Sequence, residues 1–200
     1  PFRDSGLRSW TATPWGRAAS PTLGTPGRSI QNGLAMVSED RKTEGLAQDQ
    51  SIGENITYSR LGQYSHLGLI RRAQRRKRVQ ESISEMEIKA ASQDDPVSSL
   101  SGGNQQKVAI ARVLHQEADI YLLDEPTRGI DVGTKSEIYR IIGELASRGK
   151  SIIVVSSYLP ELMAICDRIA VMSRGRLREL RDVDDWTEHD VMMHAVTTEN

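Results

Sequence analysis

The sequence predicts an α/β fold, a mostly parallel sheet flanked by helices, with a helical insert behind its first strand. Three observations carry that expectation. Short apolar runs of strand length alternate with longer runs whose apolar residues recur at helical spacing. One of the short runs, Ile120-Tyr121-Leu122-Leu123, ends in the acidic pair Asp124-Glu125, as a buried parallel strand does where it presents ligands at the sheet edge. Upstream of it, Ser101-Gly102-Gly103 opens a helical run, and the first amides of such a run have no intrahelical partners.

Taken in order, residues 1–32 are rich in Pro, Gly, Ser, Thr and Arg without periodicity, and read as an irregular segment. Gly33-Leu34-Ala35-Met36-Val37 reads as a short buried strand running into Ser38-Glu39. Residues 51–99 turn helical. A short helix is expected around Asn55, Ile56 and Leu61, and a longer one over Arg71–Ala91 with Ile70, Val79, Ile83 and Met86 as sparse apolar positions. The basic run Arg71, Arg72, Arg75, Arg76, Lys77, Arg78 has no interleaved aromatics, so a solvated helix face outweighs a nucleic-acid patch. Asp95-Pro96 closes the insert.

A helix over Gln105–His115 offers Val108, Ala111, Val113 and Leu114 for packing, with His115 as a partner for its dipole. Lys135–Arg148 is the clearest amphipathic helix: Ile138, Ile141, Ile142 and Leu145 fall on one stripe, and Gly149 suits the position just past its end. Ser151–Val155 reads as a second buried strand, Leu159–Ala164 as a short helix and Arg168–Met172 as a further strand. Arg174-Gly175 signals a turn into an edge hairpin through Arg176-Leu177-Arg178. A terminal helix over Trp186–Val196 would pack through Met192, Met193 and His194.

Composition bounds the rest. The chain has 200 residues and a net charge of -1, so no overall field draws it to nucleic acid or anionic lipid. The single cysteine, Cys166, excludes an internal disulfide and fits a reducing compartment. No apolar run approaches the roughly 20 residues that span a bilayer, so a membrane role has to come through a partner. The chain begins with Pro1 and no signal-peptide pattern follows, which reads as a piece of a longer product.

The chemistry lies in two places. Glycines at 102 and 103 let an anion approach the backbone, and Ser101 adds a hydroxyl at the positive end of a helix. Asp124 at a strand end suits a Mg²⁺ sphere, and Glu125 suits orienting or deprotonating a water. Each alone also has a plainer reading, a helix cap in one case and a solubilising acidic turn in the other. Their occurrence in one stretch changes the balance.

That stretch resembles the signature, Walker B and D-loop segments of ABC-type ATPases: Leu100-Ser101-Gly102-Gly103-Asn104-Gln105-Gln106, Asp124-Glu125 and Gly129-Ile130-Asp131. With Ser38-Glu39-Asp40-Arg41-Lys42 upstream, the wording is similar to the C-terminal nucleotide-binding half of the tandem ATPases of ribose, galactose and xylose importers. The resemblance spans roughly Gly33 to Leu180. It implies a P-loop NTPase fold of ABC type over residues 33–180, a helical subdomain over about 51–100, and a C-terminal tail or helix over 181–200. It further implies ATP and Mg²⁺ as ligands, with Glu125 catalytic, Asp124 on the metal, and Ser101, Gly102, Gly103, Gln105, Glu39, Asp131 and Ser157 around nucleotide. The implied partners are an N-terminal nucleotide-binding half, a membrane-spanning sugar permease and, indirectly, a periplasmic sugar-binding protein, with no nucleic acid. The implied location is the cytoplasmic face of the bacterial inner membrane.

Two departures bear on catalysis. No G-x-x-x-x-G-K-S/T phosphate loop occurs, and Gly27-Arg28-Ser29 is only a partial echo of one. Ser157 stands where many ABC ATPases carry a histidine on the γ-phosphate, and Glu39 where they carry a glutamine. Three function classes follow: the energy-coupling ATPase half of a sugar importer, a soluble ABC-type ATPase acting on nucleic acid, and a non-catalytic or truncated ABC-derived module.

Overall fold

A computed structural model describes residues 25–66 and 68–196. The remainder of the segment expected to be irregular, residues 1–24, lies outside the described residues. The chain divides into two compact units, one ending at Ile153 and the other beginning at Val154.

The chain's parallel sheet has the order β1-β4-β5, comprising β1 (Leu34–Val37), β4 (Ile120–Asp124) and β5 (Ser151–Val155), and the first unit holds it up to Ile153. The β1/β4 register pairs Leu34 with Ile120 and Val37 with Leu123. Ala35, Val37, Tyr121 and Leu123 are buried on one face. The other face is open: Met36 is 52% and Ile153 55% exposed. The expectation of a buried strand at 151–155 therefore fails. An apolar run marks a strand, but it does not say how many faces are covered.

Before β1 comes α1 (Pro26–Gln31), a helix where irregular chain is expected. Thr25 caps it and Pro26 sits in its first turn, so the residues that look like breakers are start signals. Gly33, at φ 78, makes the turn into β1.

The insert holds α2 (Ile52–Thr57), with a Ser51/Glu54 capping box, and a 3-10 segment Tyr58–Tyr64. A two-residue ladder, β2 (Ser65–His66) with β3 (Leu69–Ile70), precedes α3 (Arg72–Glu85). Helix α3 ends six residues short of the expected Ala91. Glu87 adopts the left-handed conformation at φ 48, and Ile88 N–H closes back onto Ile83 C=O at 2.9 Å. This is a Schellman stop built without glycine, so no sequence signal marks it.

Helix α4 (Gly102–His115) is the post of the unit, with nearly every residue from Gln105 to Val113 buried. Helix α5 (Val132–Ser147) buries Ile138, Ile141, Ile142 and Leu145, the stripe expected from spacing. Gly149 follows at φ 79, with Gly149 N–H on Ala146 C=O and Lys150 N–H on Leu145 C=O.

The second unit contains α6 (Leu159–Ile165), the antiparallel pair β6 (Arg168–Ser173) and β7 (Arg176–Asp182), and α7 (Glu188–Val196). The β6–β7 turn places Arg174 and Gly175 at φ 51 and 75, both left-handed as a type I′ hairpin requires. Ile169, Val171, Val183 and Trp186 form its core, and Trp186 Nε1 donates to Ile169 C=O at 3.1 Å. Met192 and Met193 are mostly exposed. Val191 and Ala195 pack from α7 instead, with His194 edge-on to Trp186.

Candidate functional site

Ser101 is the N-cap of α4, and its hydroxyl accepts from Asn104 N–H at 3.5 Å and from Asn104 Nδ2 at 3.0 Å. Asn104 Oδ1 in turn accepts from Lys89 N–H at 2.9 Å, anchoring the turn to the end of the insert. Both glycines sit against neighbouring side chains with little room for a Cβ. A Cβ on Gly103 would lie 3.1 Å from Thr134 Oγ1, and one on Gly102 would lie 3.0 Å from Arg41 Nη2. The first amides of a 14-residue helix emerge here beside a guanidinium, a combination that attracts anions. The turn borders a polar cleft of about 390 Å³ lined also by Glu87, Lys89, Lys107 and Thr134. Lys107 is nearly buried and paired with Glu137 of α5.

Not every expected ligand faces outward. Gln105 is 5% exposed, and its Nε2 donates inward to Val97 C=O at 3.3 Å and Leu100 C=O at 3.2 Å. Its place as the fourth residue of the helix puts it on the buried face, where it braces the approach to Ser101. Asp131 caps α5: Oδ1 accepts from Thr134 N–H at 3.0 Å and Oδ2 from Thr134 Oγ1 at 2.8 Å. Those two hydrogen bonds hold its carboxyl below the usual carboxylate range. The residue before α5's entry turn, Gly129, stands at φ 67.

The carboxylates collect at one sheet edge. Because Val37 pairs with Leu123, Glu39 and Asp124-Glu125 leave the sheet side by side at its carboxyl end. Glu39 pairs with Arg128, so the Glu-Asp-Arg-Lys stretch is more than a solvated turn. Asp124 is half-buried, and Glu125 adopts the left-handed conformation at φ 45. A non-glycine residue held there costs roughly 1–2 kcal/mol, a strain that concentrates at functional positions. Among the described residues no group of three His, Cys, Asp or Glu could hold a metal alone. Mg²⁺ does not need one, since it keeps waters and substrate oxygens around one or two carboxylates. An oxygen-only pair such as Asp124 and Glu125 fits it.

Ser157 lies in the second unit, exposed in the turn before α6. Its neighbour Ser156 donates to the buried Glu161 at 2.7 Å and accepts from Tyr158 N–H at 3.1 Å. His115 is not a charged dipole partner. It is buried and stacked on Tyr64, with Tyr64 Oη at 3.1 Å from Nε2. Burial, then the charges of Arg78 and Arg60, push its pKa down to about 4, so it is neutral.

Sequence reasoning passed over Arg41, Asn104 and Arg112. Arg112 is buried in α4, donating to Gly45 C=O and, at 2.7 Å, to Tyr58 Oη. Nothing in the residues beside them signals the contacts that these side chains make.

The family described as ABC transporter matches residues 16–128, more than half of the chain. The chain belongs to the ABC transporter family. Among its relatives, the ribose import ATP-binding protein RbsA of Geobacillus kaustophilus is 42% identical over 176 residues, covering 88% of this chain and 35% of the relative. The xylose import ATP-binding protein XylG of Pseudomonas syringae pv. syringae is 44% identical over 172 residues, covering 86% and 32%. This ABC chain thus spans about a third of the length of the curated relatives it matches. A dimeric structure of MJ0796, a bacterial ABC transporter cassette, aligns with TM-score 0.65 at 25% identity, covering 76% of this chain and 64% of that one. A post-hydrolysis dimer of the same cassette, bound to ADP and Pi, aligns at 0.63 and 24%. The α/β fold with a parallel sheet flanked by helices is that of the ABC cassette.

Proposed function

We propose that this chain is the energy-coupling ATPase half of a bacterial ABC sugar importer and that it donates its signature turn to an ATP site on a partner half. The carrying observation is the outward Ser101-Gly102-Gly103 turn at the head of α4, flanked by Arg41. Its amides and hydroxyl would stabilise charge developing on a γ-phosphate held by the partner. The names of the relatives, ribose and xylose import proteins, supply the substrate class.

On its own side, Asp124 would hold Mg²⁺, which polarises phosphate oxygens when bound. Glu125 would orient or deprotonate the attacking water, and Glu39 would border the nucleotide. The 200 residues carry no phosphate-loop pattern for that second site; the role proposed here is the one in trans. The partners are the phosphate-loop half, a membrane-spanning sugar permease and, through it, a periplasmic sugar-binding protein. The place of action is the cytoplasmic face of the inner membrane. Among the described residues no helix is long and apolar enough to cross a membrane.

The insert lends the nucleic-acid alternative little support. Arg76 pairs with Asp94, Arg78 with Glu81 and Glu85, and Arg75 donates to Thr57, so much of the basic run is spent within the subdomain.

The test is Ser101→Phe in the assembled pair. ATP hydrolysis should drop about a hundredfold or more, while the thermal midpoint of the chain falls only by the few degrees that losing a helix cap costs. Unchanged hydrolysis would sink the donor role.

A further inference from the structure

Arg41 opens the five-residue π turn Arg41–Gly45. Asp40 fixes that turn, accepting from Lys42 N–H at 2.9 Å, Thr43 N–H at 3.1 Å and Thr43 Oγ1 at 2.6 Å. The guanidinium is thereby placed between two glycine turns far away in sequence. Its Nη1 donates to Arg128 C=O at 3.3 Å. Its Nη2 stands 3.0 Å from where a Cβ on Gly102 would lie and 4.0 Å from where one on Gly129 would lie. Its Nε is buried and makes no hydrogen bond among the described residues.

A buried donor left unmade costs about 1–3 kcal/mol, so hydrogen bonding alone does not explain why the group sits here. Its fit between the two turns does. The arrangement also closes on itself: the Arg128 carbonyl accepts from Arg41, while the Arg128 side chain pairs with Glu39, two residues before Arg41.

We propose that Arg41 is a positioning residue, a forked spacer that sets the distance between the Ser101-Gly102-Gly103 turn and the Gly129 turn and ties both to the Glu39 segment. The kinetic consequence rests on the signature-donor role proposed above, because it appears in the partner's ATP site. Losing the spacer lets the two turns shift independently, and a misplacement of about 1 Å at a reacting group is costly.

Two variants separate the fork from its charge and bulk. Arg41→Met keeps the aliphatic stem, and Arg41→Lys keeps the charge. Amide hydrogen exchange is read on the full chain, and steady-state ATP hydrolysis on the chain mixed with the phosphate-loop half. In both variants, exchange at residues 102–104 and 129–131 should quicken together while residues 108–113 stay protected. In the mixture kcat should fall about tenfold with KM for ATP unchanged. Several results would overturn the proposal. Wild-type kcat and exchange in Arg41→Lys would make the charge sufficient. Faster exchange at neither turn, or at one alone, would mean that Arg41 does not join them. Equal loosening along α4 would make it a fold stabiliser only, and a raised KM at constant kcat would make it a nucleotide-binding group. If the wild-type mixture hydrolyses no ATP, the donor role fails, and the exchange pattern alone decides for or against Arg41.

Discussion

His115 lies at the C-terminal end of α4, where a protonated imidazole would gain from the helix dipole. Burial against Tyr64, with Arg78 and Arg60 close by, outweighs that gain and holds the pKa near 4. The unfolded chain, with an ordinary histidine near 6.5, therefore takes up a proton that the folded chain refuses between those two values. Stability falls as pH is lowered through that window, by on the order of 3 kcal/mol at its acid end. Urea midpoints from pH 7 to 4 should show this slope in the wild type and lose it in His115→Gln; Glu117, paired with Arg60 and held low, contributes in both. At this scale the sequence is least legible. The turn glycines and Asp124-Glu125 stand out by type, whereas the burial of Gln105 does not, because it follows from the inward turn of the fourth residue of a helix. Arg41 is missed because nothing in a polar run says that its partner lies at Arg128.

Helix α5 was readable from its apolar stripe and its Gly149 stop, but not from its start, which lies at Val132, three residues before the expected Lys135. The start is set by Asp131, which caps the helix with both carboxylate oxygens on Thr134. Asp131→Ala should cost about 1 kcal/mol in chemical denaturation, and Asp131→Asn should restore most of it. Ends made without glycine were not readable: α3 stops at a left-handed Glu87, and α1 starts on Thr25 and Pro26, which resemble loop residues. The β2–β3 ladder is too short for any periodicity to register. Helix α4 ties these pieces together, since Arg112 reaches Gly45 and Tyr58 while Asn104 holds Lys89.

For the whole molecule, the parallel arrangement followed from the alternation of strands and helices, and the family from the wording around Ser101 and Asp124. What alternation could not give was the extent of burial. It marks β1 and β5 as strands and leaves open that Met36 and Ile153 meet solvent. That open face has a practical side in the test tube. Exposed apolar strand surface recruits other chains, so solutions of the chain should scatter light increasingly with concentration well below the temperature at which it melts. Met36→Thr, a change on the solvent side of β1, should raise the concentration at which scattering begins and leave the thermal midpoint within about 1 °C, as surface substitutions usually do. In its colloidal behaviour the protein is then governed by one face of its sheet, and its handling by whatever is kept in contact with that face.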